Sequence, residues 1–126
     1  MQIKLTSVMV SDQNRAMKFY TDILKFKLKH NIPMGNASWL TVVSPDSDEV
    51  ELLLEPMDFA PAAVFQKALF DAGIPMAVFN VSNIQEEYER MEKLGVVFKS
   101  APKSMGPVTI AVFDDTCGNL IQLLQA

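Results

Sequence analysis

Cysteine occurs once in the 126 residues, at Cys117, and histidine once, at His30. A lone cysteine closes no internal disulfide, which suits a reducing cytoplasm. No apolar stretch approaches the roughly 20 residues that a membrane-spanning helix needs; the longest are strand-sized. The opening Met1-Gln2-Ile3-Lys4-Leu5 has no apolar signal core, so the expected setting is the cytosol, with no membrane partner. A basic stripe is missing too. Eleven Lys and Arg stand against 15 Asp and Glu, interleaved to a net charge of -4, which argues against a nucleic-acid partner.

What is present is ordinary globular composition, 49% hydrophobic and 21% charged, enough for one domain with a real core. Ile3, Leu5, Ser7 and Met9 alternate with Lys4, Thr6, Val8 and Val10, which predicts a strand. Asp12 offers an N-cap carboxylate. Ala16, Phe19, Tyr20, Ile23 and Leu24 then fall at helical spacing, predicting a helix from about Gln13 to Leu24. Strands are predicted at Phe26 to Ile32, Ser38 to Val43 and Val50 to Leu54, parted by turn chemistry at Pro33-Met34-Gly35-Asn36 and Ser44-Pro45-Asp46-Ser47-Asp48.

Residues 56–74 read as a connection holding a helix, with Pro61 in its first turn, an apolar stripe of Val64, Phe65, Ala68 and Leu69, and Gly73 to close it. The pattern then starts again. Met76 to Val81 is a strand, Asn83 with Glu86 resembles a capping box, and Ile84, Tyr88, Met91 and Leu94 form a helical stripe stopped by Gly95. Val97 to Ser100, Thr109 to Asp114 and Leu120 to Gln125 supply strands, with residues 101–107 as a loop.

A shift of 71 residues lays Val10-Ser11-Asp12 on Val81-Ser82-Asn83, Ile23 on Leu94, and Val50-Glu51-Leu52 on Ile121-Gln122-Leu123. The chain therefore reads as an α+β fold of two tandem β-α-β-β-β repeats, residues 1–55 and 75–126, within one domain over 1–126.

Three stretches carry a family resemblance. "VSDQNRAMKFYTDILKFKL" (10–28) is similar to a strand-to-helix segment ending in Phe-Tyr and Leu-Gly-Phe. "NVSNIQEEYERMEKLGVVF" (80–98) is similar to its second-half counterpart, and "AVFDDTCGNLIQLL" (111–124) resembles a closing Phe-x-Asp-Pro-x-Gly-Asn. In this order the chain resembles the vicinal oxygen chelate superfamily of glyoxalase I, bleomycin- and fosfomycin-resistance proteins and extradiol dioxygenases. The resemblance implies a curved mixed sheet around a cleft. Lys25 departs from the family's glycine and Asp115 from its proline.

Metal-using members of that family place four ligands, commonly His, Glu, His, Glu, on the concave sheet face. The resemblance puts the first seven residues before the Asp that opens the first helix, at Leu5, and the other first-repeat ligand at Glu51. The 71-residue shift carries these onto Met76 and Gln122. Leu5 donates nothing, a thioether suits soft ions, and an amide oxygen is a weak ligand. The only histidine, His30, falls on a peripheral second strand. No metal and no other cofactor is therefore expected.

The inward positions instead describe a pocket of Leu5, Ser7, Met9, Glu51, Leu53, Met76, Val78, Gln122 and Leu124, apolar with a few polar groups. Trp39 either stacks a planar ligand or is core or interface. Glu51 is the candidate catalytic residue, as general acid or base, or else a residual carboxylate held by Gln122 or water. Cys117 reads as an inert turn residue.

The expected function is metal-free binding of a small apolar or planar molecule, with a homodimer implied by the bleomycin-resistance-like branch. The alternatives are a metal-independent isomerase or lyase using Glu51, and a non-catalytic structural or regulatory module.

Overall fold

The computed structural model describes residues 1–126. They divide into two compact units, Met1–Val64 and Phe65–Ala126, each built on its own four-stranded mixed sheet.

The first unit runs β1 (Leu5–Val10), α1 (Gln13–Lys18), β2 (Lys27–Met34), β3 (Ala37–Ser44) and β4 (Ser47–Pro56). Its sheet order is β1-β4-β3-β2, with β1 parallel to β4 and the remaining pairs antiparallel. Asp12 caps α1 as expected: its backbone is extended and Oδ1 accepts the Arg15 N–H at 3.0 Å.

The helix expected over 13–24 is not uniform. After Lys18 it widens into a π-helical turn, Phe19–Ile23, where the Leu24 N–H reaches back to the Phe19 carbonyl. Phe19 and Tyr20 are buried in that turn, and Tyr20 stacks near Phe26 with ring centroids 6.4 Å apart. Lys25 follows at φ +68°, the left-handed region that favours glycine, so the residue the family pattern prefers there has a steric reason.

Alternation along the strands decides which side is covered. Val8, Val10, Leu40, Val42 and Leu54 are buried together with Ala16, Phe19 and Tyr20 from the helical segment. Each of the valine, leucine and phenylalanine side chains among them contributes about 1.5–3 kcal/mol of transfer free energy. The opposite face carries Leu5, Ser7 and Met9, of which Leu5 is 42% exposed.

The second unit contains β5 (Ala77–Asn80), α3 (Ile84–Lys93), β6 (Phe98–Met105), β7 (Val108–Asp114) and β8 (Leu120–Gln125), in sheet order β5-β8-β7-β6. Asn83 caps α3 through the Glu86 N–H at 3.1 Å, and Gln125 Oε1 accepts the Ile84 N–H at 2.7 Å. Ile84 and Met91 are buried, and Tyr88, Phe98 and Phe113 meet ring edge to ring.

Two expectations for this part of the chain are corrected. Residues 101–105 are not loop but the continuation of β6, in spite of Pro102. Proline is tolerated because β6 is an edge strand, and the ladder shifts register between Ser100 and Lys103, where no N–H is required of residue 102.

The second correction concerns α2 (Ala60–Asp71), which joins the units. Its apolar stripe does not face inward: Val64 and Phe65 are 71% and 59% exposed, while the buried residue is Gln66.

Gln66 is buried because it ties down the turn between β7 and β8. Its Nε2 donates to Asn119 Oδ1 at 3.0 Å and to the Cys117 carbonyl at 3.4 Å. Gly118, at φ +99°, lies against the same amide, and a Cβ there would sit 2.5 Å from Gln66 Oε1. Cys117 is wholly buried, so its thiol is packed inside the turn. No helix of the structure is long and apolar enough to cross a membrane.

Candidate functional site

In the first unit the register sets out one sheet face row by row. Leu5 lies opposite Glu51, Ser7 opposite Leu53, and Met9 opposite Glu55. Across β3, Val43 faces Glu51 and Thr41 faces Leu53, so Trp39, two residues further along, belongs to the same face.

Glu51 is met by two side chains of β2. Lys29 Nζ lies 3.6 Å from its Oε2 and His30 Nε2 lies 3.7 Å from its Oε1. Consecutive residues of a regular strand point to opposite faces, so both cannot reach one carboxylate by alternation. The β2–β3 ladder shifts register between Leu28 and His30, and this bulge brings the two side chains to the same acid. His30 is on the sheet's edge strand as expected, yet within reach of the candidate residue. A bulge has no reliable signature in "KLKHNIP", which is why alternation missed it.

A cavity of about 350 Å³ opens near the far end of the same strands. Met9, Trp39 and Leu53 line it together with Met34, Glu55 and Asp58. Leu5, Ser7 and Glu51 share the sheet face but do not line this cavity. Met34, Glu55 and Asp58 were not singled out from sequence. Glu55 was legible in principle, because it continues the Glu51, Leu53 alternation by two residues. On this face Thr41, opposite Leu53, is fully buried, and its Oγ1 has no hydrogen-bond partner.

The remaining sequence-derived positions lie in the second unit. Val78 is opposite Gln122, and Gln122 is opposite Val112 on the next strand. Gln122 and Leu124 are half-buried, and Val78 is exposed. Met76 stands just before β5, its N–H donating to the Leu120 carbonyl at 2.8 Å.

The 71-residue shift therefore does not survive in the strand pairing. Leu5 opposes Glu51, but the residue opposing Gln122 is Val78, two positions beyond Met76. A two-residue slip keeps side chains on the same face while moving them by one row, about 6–7 Å along the strand.

The donor set of Leu5, Glu51, Met76 and Gln122 offers one carboxylate, one thioether and one amide. No group of three or more His, Cys, Asp or Glu in the structure is arranged to hold a metal ion. These residues do not fit a four-ligand divalent centre.

Over 126 residues the chain is 52% identical to the uncharacterized protein YurT of Bacillus subtilis (strain 168), covering 99% of each. It is 33% identical to YetH of the same organism over 123 residues, covering 97% of this chain and 96% of YetH.

Among solved structures, UcmS2 is similar at a TM-score of 0.85 and 32% identity, covering 98% of this chain and 97% of that one. TnmS3, an antibiotic binding protein from Streptomyces sp. CB03234, is similar at a TM-score of 0.77 and 26% identity, covering 99% and 95%. The family profile spans residues 2–123, and on that match the chain belongs to the Glyoxalase/Bleomycin resistance protein/Dioxygenase superfamily.

Proposed function

We propose that the protein binds a small apolar or planar molecule, without a metal, in the cavity beside Trp39. The carrying observation is that one indole, two methionines and Leu53 converge on a space of about 350 Å³, within the size range of small-molecule pockets. The likeness to TnmS3, described as an antibiotic binding protein, supports the same reading.

The assembly proposed is a homodimer. Ile32, Met34 and Val78 are about half exposed, and β1 and β5 are sheet edges, which leaves apolar side chains and unpaired backbone groups for a second copy to cover. Sedimentation of the purified protein should give a dimer.

Trp39 is the chain's only tryptophan, so its fluorescence reports the cavity directly. Titration with planar aromatic compounds should quench it saturably, and Trp39→Ala should weaken binding, measured by equilibrium dialysis, by about tenfold. Stoichiometric metal in gently purified protein, or unchanged binding by the alanine variant, would remove the proposal.

A second reading is favoured by one observation, the His30 imidazole 3.7 Å from Glu51. A carboxylate beside an imidazole can move a proton without a metal, as an isomerase or lyase requires. Under that reading Glu51→Gln folds and binds ligand while turnover falls by about 100-fold or more. Retention of full turnover by that variant sinks it.

A further inference from the structure

The cavity beside Trp39 carries a charge sign that apolar lining alone does not call for. Glu55 and Asp58 both line it, and no lysine, arginine or histidine does. Glu51, on the same face of β4, has a partner at each oxygen, the Lys29 ammonium and the His30 imidazole. Glu55 has none: it is half-buried, and its carboxylate enters no ion pair or hydrogen bond of the protein. A half-buried carboxylate next to Leu53 and an indole is costly to keep without a partner.

Its neighbours suit a flat ring that carries positive charge. The face of a tryptophan ring draws cations through its quadrupole, and thioethers such as that of Met34 pack against flat apolar surfaces.

We propose that the ligand is a planar organic cation, a fused aromatic ring bearing a protonated amine or a quaternised ring nitrogen. The ring lies against Trp39, Met34 and Leu53, and Glu55 and Asp58 receive the charge. This rests on the reading that the cavity holds a small molecule. It adds a rule of discrimination: an anion of the same shape meets two carboxylates and no cation, and a neutral analogue leaves Glu55 unpaired.

The test compares ligands of one ring system and different charge. Proflavine serves as the cation, acridone as the neutral ring and acridine-9-carboxylate as the anion. Each is titrated against the full-length protein by Trp39 quenching and checked by equilibrium dialysis. The cation is expected to bind about tenfold tighter than the neutral ring, with the anion weakest.

In a Glu55→Gln/Asp58→Asn variant the ratio of cation to neutral affinity should fall several-fold, to what the Trp39 ring alone contributes. Raising the salt concentration on the unaltered protein should weaken the cation selectively, which gives a readout independent of any variant. Equal binding of cation and neutral ring, or a preference undiminished in the double variant, overturns the charge assignment and leaves small-molecule binding standing. Failure of all the compounds to bind, whatever their charge, overturns both.

Discussion

Replacing Asp115 by alanine is expected to destabilise the protein by about 3–5 kcal/mol, seen as a lower urea midpoint with an unchanged slope. Asp115 is wholly buried, and its carboxylate organises the turn that follows β7. Oδ1 accepts the backbone N–H groups of Cys117 at 2.7 Å and Asn119 at 3.0 Å. Oδ2 accepts the Asn119 side-chain amide at 2.8 Å, and Asn119 Oδ1 in turn accepts from Gln66.

Hydrogen bonds to a charged acceptor contribute about 1.5–3 kcal/mol each, and losing this acceptor leaves buried N–H groups with nowhere to point. Asp115→Asn should cost less than the alanine change. It keeps one oxygen for the backbone pair but sets an amide against Asn119 Nδ2. A midpoint for the alanine variant equal to that of the parent protein would mean that the turn is held by packing alone.

The same network gives the departure from the family's proline a physical content. Proline in that turn restricts the backbone from within, whereas Asp115 holds it from the side by three accepted bonds. Thr116 takes φ +65° in the middle of this turn, a conformation costly for a β-branched residue and imposed by the anchored residues on either side.

The next largest effect is expected from Gln13→Ala, about 2–3 kcal/mol of stability together with weaker ligand binding. The Gln13 amide clamps two strands from the start of α1. Nε2 donates to the carbonyls of Ser38 at 2.9 Å and Leu54 at 2.8 Å, and Oε1 accepts the Ser38 N–H at 3.0 Å. Each bond of this neutral kind contributes about 1 kcal/mol net.

Ser38 and Leu54 immediately adjoin Trp39 and Glu55, so the clamp also fixes the backbone on which the proposed cavity is built. Denaturation followed by Trp39 fluorescence, with a ligand titration on the folded variant, measures both consequences. Lost stability with unchanged affinity would separate the clamp from the cavity, and an unchanged midpoint would remove its structural role.

The parts legible in the sequence are those governed by local rules. A short apolar run after the turn at Gly118 marks β8 as Leu120–Gln125, and the helix starts at Asp12 and Asn83 follow from short side chains that accept N–H groups three residues on. Repeats of β-α-β-β-β order follow from the same local patterns taken in sequence.

Less was legible where a partner distant in the chain decides the outcome. Gln66 is buried because Asn119, 53 residues later, needs its amide. Pro102 stays within a strand because that strand has a free edge. Lys29 and His30 meet one carboxylate because a bulge cancels alternation at a single step.

For the candidate site, residue type along the chain led to the expectation of too few donors for the family's metal, since that depends only on which residues occupy the family's ligand positions. The cavity beside Trp39, the Lys29 and His30 neighbours of Glu51 and the unpaired state of Glu55 required the tertiary structure. Register and bulges are set by pairing between strands, and pairing is a property of two segments at once, which no single stretch of sequence contains.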